Sequence, residues 1–114
     1  MSHKGAWEGY GQTIYDTETC GKTLQYVSFA RKAVKWDADG VVVGATYPEK
    51  IREVHGILSK KIPIYSPGIG AQGGKIESAL KAGASYLIVG RAISLSENPA
   101  ETAKEIRDLA NECK

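Results

Sequence analysis

The sequence has no long apolar run: nothing in its 114 residues approaches the roughly 20 that a membrane-spanning helix requires. It has no basic run either. Lysine and arginine number 15 against 13 acids, a balance that suits neither nucleic acid nor an anionic membrane surface. The opening residues contain no apolar signal-type core. The two cysteines, Cys20 and Cys113, form no CxxC and no metal-ligand spacing. Two reduced thiols in a cytoplasmic protein are the expected state. No segment is of low complexity and no composition shift marks a boundary, so residues 1–114 read as one domain.

What the sequence does have is a pair of glycine-marked turns. Ile62-Pro63-Ile64-Tyr65 is an apolar run, followed by Ser66-Pro67-Gly68-Ile69-Gly70-Ala71-Gln72-Gly73-Gly74 and then an amphipathic stretch from Lys75 to Ala82. This is the order strand, glycine-rich turn, helix. Glycine allows positive φ and close backbone approach to a ligand, and a helix start presents free N–H groups to an anion. An anion cradle and a plain tight βα turn both fit this stretch. A second apolar run, Tyr86 to Val89, ends in Gly90-Arg91. A guanidinium there matches phosphate oxygens as a planar fork, and the neighbouring glycine-rich turn ranks that reading ahead of a salt bridge at a strand end. Two successive strands ending in such turns are the pattern of the phosphate site of a (β/α)8 barrel.

The remaining elements follow the same rhythm. Gly9, Gly11 and Asp16 to Lys22 read as loop. Thr23 to Trp36 reads as a helix with Leu24, Val27, Ala30 and Val34 inward, and Arg31, Lys32 and Lys35 near its end. Val41-Val42-Val43 reads as a strand buried on both faces. Thr46-Tyr47-Pro48-Glu49 reads as a capping box led by Thr46, opening a helix with Ile51, Val54, Ile57 and Leu58 inward. Gly83 is the expected C-cap of the following helix. Ser94 to Glu97 reads as a short helical turn, and Asn98-Pro99-Ala100-Glu101 as the start of a last helix with Ala103, Ile106, Leu109, Ala110 and Cys113 inward. Strands beginning near Val41, Ile62 and Tyr86 lie about 20 to 25 residues apart, the βα repeat of a parallel α/β fold. The expected fold is α/β, a partial (β/α)8 (TIM) barrel: a C-terminal half with three full βα units, preceded by a strand stub and its helix. A complete barrel needs about 200 residues or more.

Taken together, Ser66 to Gly74, Asp39-Gly-Val-Val-Val-Gly-Ala-Thr46 and Val89-Gly-Arg-Ala-Ile93 resemble orotidine 5′-phosphate decarboxylase. Met1-Ser2-His3-Lys4-Gly5-Ala6 is similar to the family's Met-Ser-His-Pro-Gly-Ala, with Lys4 in place of proline. The resemblance implies that Gln72 and Arg91 bind a 5′-phosphate, with Gly70 and Gly90 as backbone contacts. It places Ser2 and Pro67 at the pyrimidine and ribose. The family converts orotidylate to uridylate and carbon dioxide, a step of pyrimidine biosynthesis, with no cofactor or metal. A lysine in an Asp-x-Lys-x-x-Asp motif protonates pyrimidine C6 there. No such motif occurs in this sequence: Lys35-Trp36-Asp37-Ala38-Asp39 has the wrong order. The resemblance therefore implies a decarboxylase half with no catalytic residues of its own, inactive when alone. Its expected small-molecule partner is a nucleotide monophosphate (orotidylate or uridylate) or phosphate. A non-catalytic phosphate-binding half-barrel is the alternative, and a related sugar-phosphate decarboxylase fits the turn less well. Open sheet edges imply a homodimer, or pairing with the missing N-terminal half. Val41, Val43, Ile64, Leu87 and Val89 are the residues expected to face the barrel interior. His3 is expected to support a strand end, and His55 to be solvated.

Overall fold

A computed structural model of the chain describes residues 12–16, 21–70 and 73–114. The first described elements are an antiparallel pair, β1 (Thr13–Asp16) and β2 (Gly21–Leu24), in the register Thr13 opposite Leu24. The Gln25 N–H donates to the Gln12 carbonyl at 3.0 Å, extending the pairing to the start of α1 (Gln25–Lys35). The two strands include Asp16, Gly21 and Lys22, which read as loop; Gly9, Gly11 and residues 17–20 lie outside the described residues. Both strands are short, and Gly21, Lys22 and Thr23 mix turn and strand preferences, so only the cross-strand ladder reveals them. The helix accordingly starts at Gln25, two residues later than Thr23.

The inward face of α1 also differs from the expectation. Tyr26, Ala30 and Ala33 are buried, whereas Val34 is exposed and Leu24 and Val27 are half-buried. The stripe at i, i+4 and i+7 chose one aromatic and two small residues over the larger aliphatics, because the small ones allow α1 to lie close against α2 (Pro48–Leu58). The Tyr26 hydroxyl donates to Glu53 of α2, and Lys50 donates to the Tyr26 hydroxyl at 3.0 Å and to Glu53 at 3.2 Å. The Tyr26 hydrogen bond, with Lys50 beside it, holds the Glu53 carboxyl below its usual range, while burial pushes the Tyr26 hydroxyl up.

Three parallel strands follow: β3 (Val41–Val42), β4 (Ile64–Ser66) and β5 (Tyr86–Leu87), in the order β3-β4-β5. Val41 lies opposite Ile64, and Ser66 opposite Leu87. Val43 and Ala45 continue the bonding past the strand, donating to Tyr65 and Pro67 carbonyls at 3.0 and 2.8 Å. The helices α2 and α3 (Gly73–Ala82) follow β3 and β4, and α4 (Arg91–Ser94) and α5 (Pro99–Glu112) follow β5. Ile51, Leu58, Ile64 and Ile76 are fully buried between sheet and helices. Each such side chain contributes about 1.5–3 kcal/mol.

The sheet faces are reversed relative to the expectation. Val43 and Ile64 are buried toward the helices, and Val41, Leu87 and Val89 pack against the same core. The other face carries Val42, Tyr65, Tyr86 and Ile88, which are 49, 37, 53 and 45 % exposed. Period-2 alternation fixes two sets of residues but not which set faces the helices, and an all-apolar strand gives no polar residue to break the tie.

Helix starts differ by one to three residues. Tyr47, not Thr46, is the N-cap of α2, and no side chain caps it. Pro48 occupies the first helical position, which places the cap immediately before it. The short helix after β5 begins at Arg91 rather than Ser94. Asn98 does cap α5: its side chain accepts from the Glu101 N–H at 3.5 Å and donates to the Glu101 carboxylate at 2.9 Å. On α5 only Ile106 of the expected stripe is buried, while Ala103, Leu109, Ala110 and Cys113 are half-buried. Cys113 is a free thiol; Cys20, Met1 to Ala6 and His3 lie outside the described residues. No helix among the described residues is long and apolar enough to cross a membrane.

Gly83 ends α3 with φ +118°, and a Cβ there would sit 2.5 Å from Cγ of His55. His55 is thus half-buried against the α3 terminus rather than simply solvated. Gly83→Ala is expected to destabilise the fold by about 1–3 kcal/mol, from backbone strain and the clash together. Thermal unfolding should show a midpoint lowered by at least about 4 °C, with partial recovery in the Gly83→Ala, His55→Ala double variant.

Candidate functional site

The turns leaving β4 and β5 form one cleft. Its volume is about 470 Å3, and its lining is Pro67, Gly68, Ile69, Gly70, Ile88, Gly90, Arg91 and Ala92. The parallel ladder places both turns at the same end of the sheet, so residues 20 or more apart in sequence meet across it. Gly68 adopts φ +87°, a left-handed turn that glycine takes without strain. Ile69 is buried and anchors the loop between the two open glycines.

Gly70 and Gly90 differ from Gly68 and Gly83. A Cβ at either would meet nothing within 4 Å, and neither has positive φ. Packing therefore does not demand glycine at these positions; the space in front of their backbone is the cleft itself. Arg91 is exposed at the mouth and makes no ion pair with the described residues. Among the described residues no acid lines the cleft, and Arg91 is the charged group there. The salt-bridge alternative for Arg91 finds no acidic partner here.

Below the cleft, Ser66 is completely buried, and its Oγ donates to the Val43 carbonyl at 2.7 Å. This bond ties β4 to the end of β3 one residue before Pro67. At the other end of β4, Ser85 Oγ accepts from the Ile64 N–H at 3.2 Å.

Of the residues expected at the site, Pro67, Gly70, Gly90 and Arg91 come together in the cleft. Ser2 and Gln72 lie outside the described residues. Ile88 and Ser66 were not among the expected site residues. The signal for Ile88 was available, because it precedes Gly90 by two and so shares its side of the strand. Ser66 carried none, since a serine beside Pro-Gly reads as a turn residue. Among the described residues no three His, Cys, Asp or Glu side chains converge to hold a metal.

Comparison with known proteins is consistent along the chain. A family model described as "Orotidine 5'-phosphate decarboxylase / HUMPS family" matches residues 11–106. An orotidine 5′-phosphate decarboxylase of Pyrococcus furiosus is 52% identical over 112 residues, covering 98% of this chain and 47% of the relative. That of Methanococcoides burtonii is 40% identical over 111 residues, covering 97% and 46%. The crystal structure of the Methanocaldococcus jannaschii enzyme complexed with inhibitor BMP superposes with a TM-score of 0.73 at 36% identity, covering 97% of this chain and 46% of that one. The Pyrococcus horikoshii structure gives 0.70 at 46% identity, covering 75% and 41%. These neighbours are TIM barrels, and the present fold is a partial one. The chain spans about half the length of the curated relatives it matches.

Ser66→Ala removes the donor to a carbonyl in a fully buried setting. It is expected to cost about 1–3 kcal/mol, measured by urea unfolding, with hydrogen exchange rising first at Ala45 and Ile88.

Proposed function

Because the chain belongs to the orotidine 5′-phosphate decarboxylase / HUMPS family, we propose that its cleft grips the 5′-phosphate of a pyrimidine nucleotide such as orotidylate or uridylate. Arg91 supplies the charged fork, the backbone at Gly70 and Gly90 supplies close approach, and Pro67 lies on the sugar and base side. Gln72 and Ser2 complete the phosphate and pyrimidine contacts in this reading. The observation that carries it is the combination in one cleft of an arginine without an ion pair among the described residues and two glycines whose missing side chains face open space.

The reaction itself needs more than a grip. Decarboxylation breaks the bond between C6 and the carboxyl carbon, leaves the electron pair on C6, releases carbon dioxide and delivers a proton to C6. Binding energy from a remote phosphate can be used to hold the reacting centre in place, but a proton donor must stand beside it. The Asp-x-Lys-x-x-Asp set that does this in the family is absent from the sequence. Joined to such a set, the cleft would hold the nucleotide while those groups act on C6; the second reading is a non-catalytic phosphate-binding half-barrel that works only by assembling with itself or with a partner half.

Arg91→Ala is expected to weaken uridylate or phosphate binding by about 2 kcal/mol, roughly 30-fold, the worth of charge-assisted hydrogen bonds. Gly90→Ala is expected to lower the same affinity, since its methyl enters the cleft. Calorimetric titration checks both, and unchanged affinity in the pair rejects the phosphate site. The purified chain is expected to show no orotidylate decarboxylation above background in a spectrophotometric assay; family-like turnover would overturn the assignment of the missing groups.

A further inference from the structure

We propose that Ser66 is a positioning residue of the cleft: its hydroxyl makes the hydrogen bond that Pro67 cannot make, so that a proline opens the cleft loop without detaching it from β3. Its effect on binding rests on the phosphate reading above; its effect on the backbone rests on the ladder alone. Along β3 and the residues after it, the N–H groups of Val41, Val43 and Ala45 donate to the carbonyls of Pro63, Tyr65 and Pro67 at 3.0, 3.0 and 2.8 Å. In a parallel pair such bonds alternate with return bonds from the other strand. The register, with Val42 opposite Tyr65, assigns the return bond at the Val43 carbonyl to the N–H of residue 67. Residue 67 is proline, which has no N–H. Regular pairing of β3 accordingly ends at Val42, although Ala45 still bonds to Pro67. Ser66 Oγ donates to that same Val43 carbonyl at 2.7 Å, with the serine wholly out of water.

Val43 is buried, and a buried carbonyl without a partner is costly. An aliphatic side chain at 66 would leave that carbonyl without its donor. Ser66 also fixes the second wall of the cleft. Its own carbonyl accepts from the Ile88 N–H at 3.0 Å, and Ile88 lines the cleft ahead of Gly90 and Arg91. One residue therefore ties the 67–70 loop to the end of β3 and the 88–92 turn to the end of β4. Ser66 itself is not part of the cleft lining, so it acts through Pro67 and Ile88. An anion held by both turns needs them at a fixed spacing, and a displacement of about 1 Å is enough to lose such geometry. Ser85 provides the comparison. Its Oγ accepts from the Ile64 N–H at 3.2 Å, at the end of β4 away from the cleft.

The test measures uridylate affinity by calorimetry at a temperature where circular dichroism shows each variant folded, so that lost stability does not enter the reading. Ser66→Ala is expected to weaken binding about fivefold or more. Ser66→Thr, which keeps the hydroxyl, and Ser85→Ala, which removes the bond at the far end of β4, are each expected to stay within about twofold of the wild type. No loss in Ser66→Ala, or an equal loss in Ser85→Ala, overturns the proposal. The backbone substitution is read separately. Pro67→Ala restores an N–H, so it is expected to be more favourable to the unfolding midpoint in the Ser66→Ala background than in the wild type, with the residue 67 amide protected from exchange in the double variant. Additive midpoints or an unprotected amide count against the role of Ser66. A Ser66→Ala chain that does not fold is answered by the double variant, which is expected to fold; its failure also rejects the proposal. Failure of the phosphate reading is distinguishable. Arg91→Ala binding as tightly as the wild type rejects that reading and the positioning role with it, whereas Arg91-dependent binding untouched by Ser66→Ala rejects only the positioning role.

Discussion

The bonding of β4 to strands on both sides is the constraint on which the cleft depends. Ile64 and Ser66 are completely buried there, and the main-chain ladder runs from Val41 through Ala45 on one side and from Ser85 through Ile88 on the other. The two serine hydroxyls extend that ladder at its ends. Parallel hydrogen bonding is less stable per residue than antiparallel, and β3 and β5 are only two residues long. Side-chain ties at both ends of β4 therefore matter more than they would in a long strand. A slip of one residue would exchange the helix face for the open face and move Pro67 and Gly68 out of reach of Gly90.

Much of this was legible in the sequence because it is local. The repeat of apolar run, glycine turn and amphipathic helix fixes three βα units, and Gly83, Pro99 and Asn98 announce helix ends through chemistry that acts within four residues. The cleft was legible for the same reason: Pro67, Gly70, Gly90 and Arg91 each sit one to five residues past a strand. What escaped was decided at longer range or by small margins. The hairpin of β1 and β2 exists through pairing between Thr13 and Leu24. The inward face of α1 depends on the fit of Tyr26 to Lys50 and Glu53 on another helix. The orientation of the sheet faces depends on which side the helices cover, which Val41-Val42-Val43 cannot encode.

In the function proposed above, the separation of grip from chemistry follows from how parallel barrels place their loops. A phosphate cradle needs two neighbouring βα turns, and neighbours in a parallel sheet are here also neighbours in sequence, so a short piece of chain can assemble it. The ladder and the sequential packing of α1 on α2, α2 on α3 and α3 on α5 supply that assembly with contacts between adjacent elements. Reacting groups on distant strands need the ring to close first. The cleft built on β4 and β5 is therefore made by turns adjacent in sequence, while Tyr65, Tyr86 and Ile88 stay exposed on the open face of the sheet.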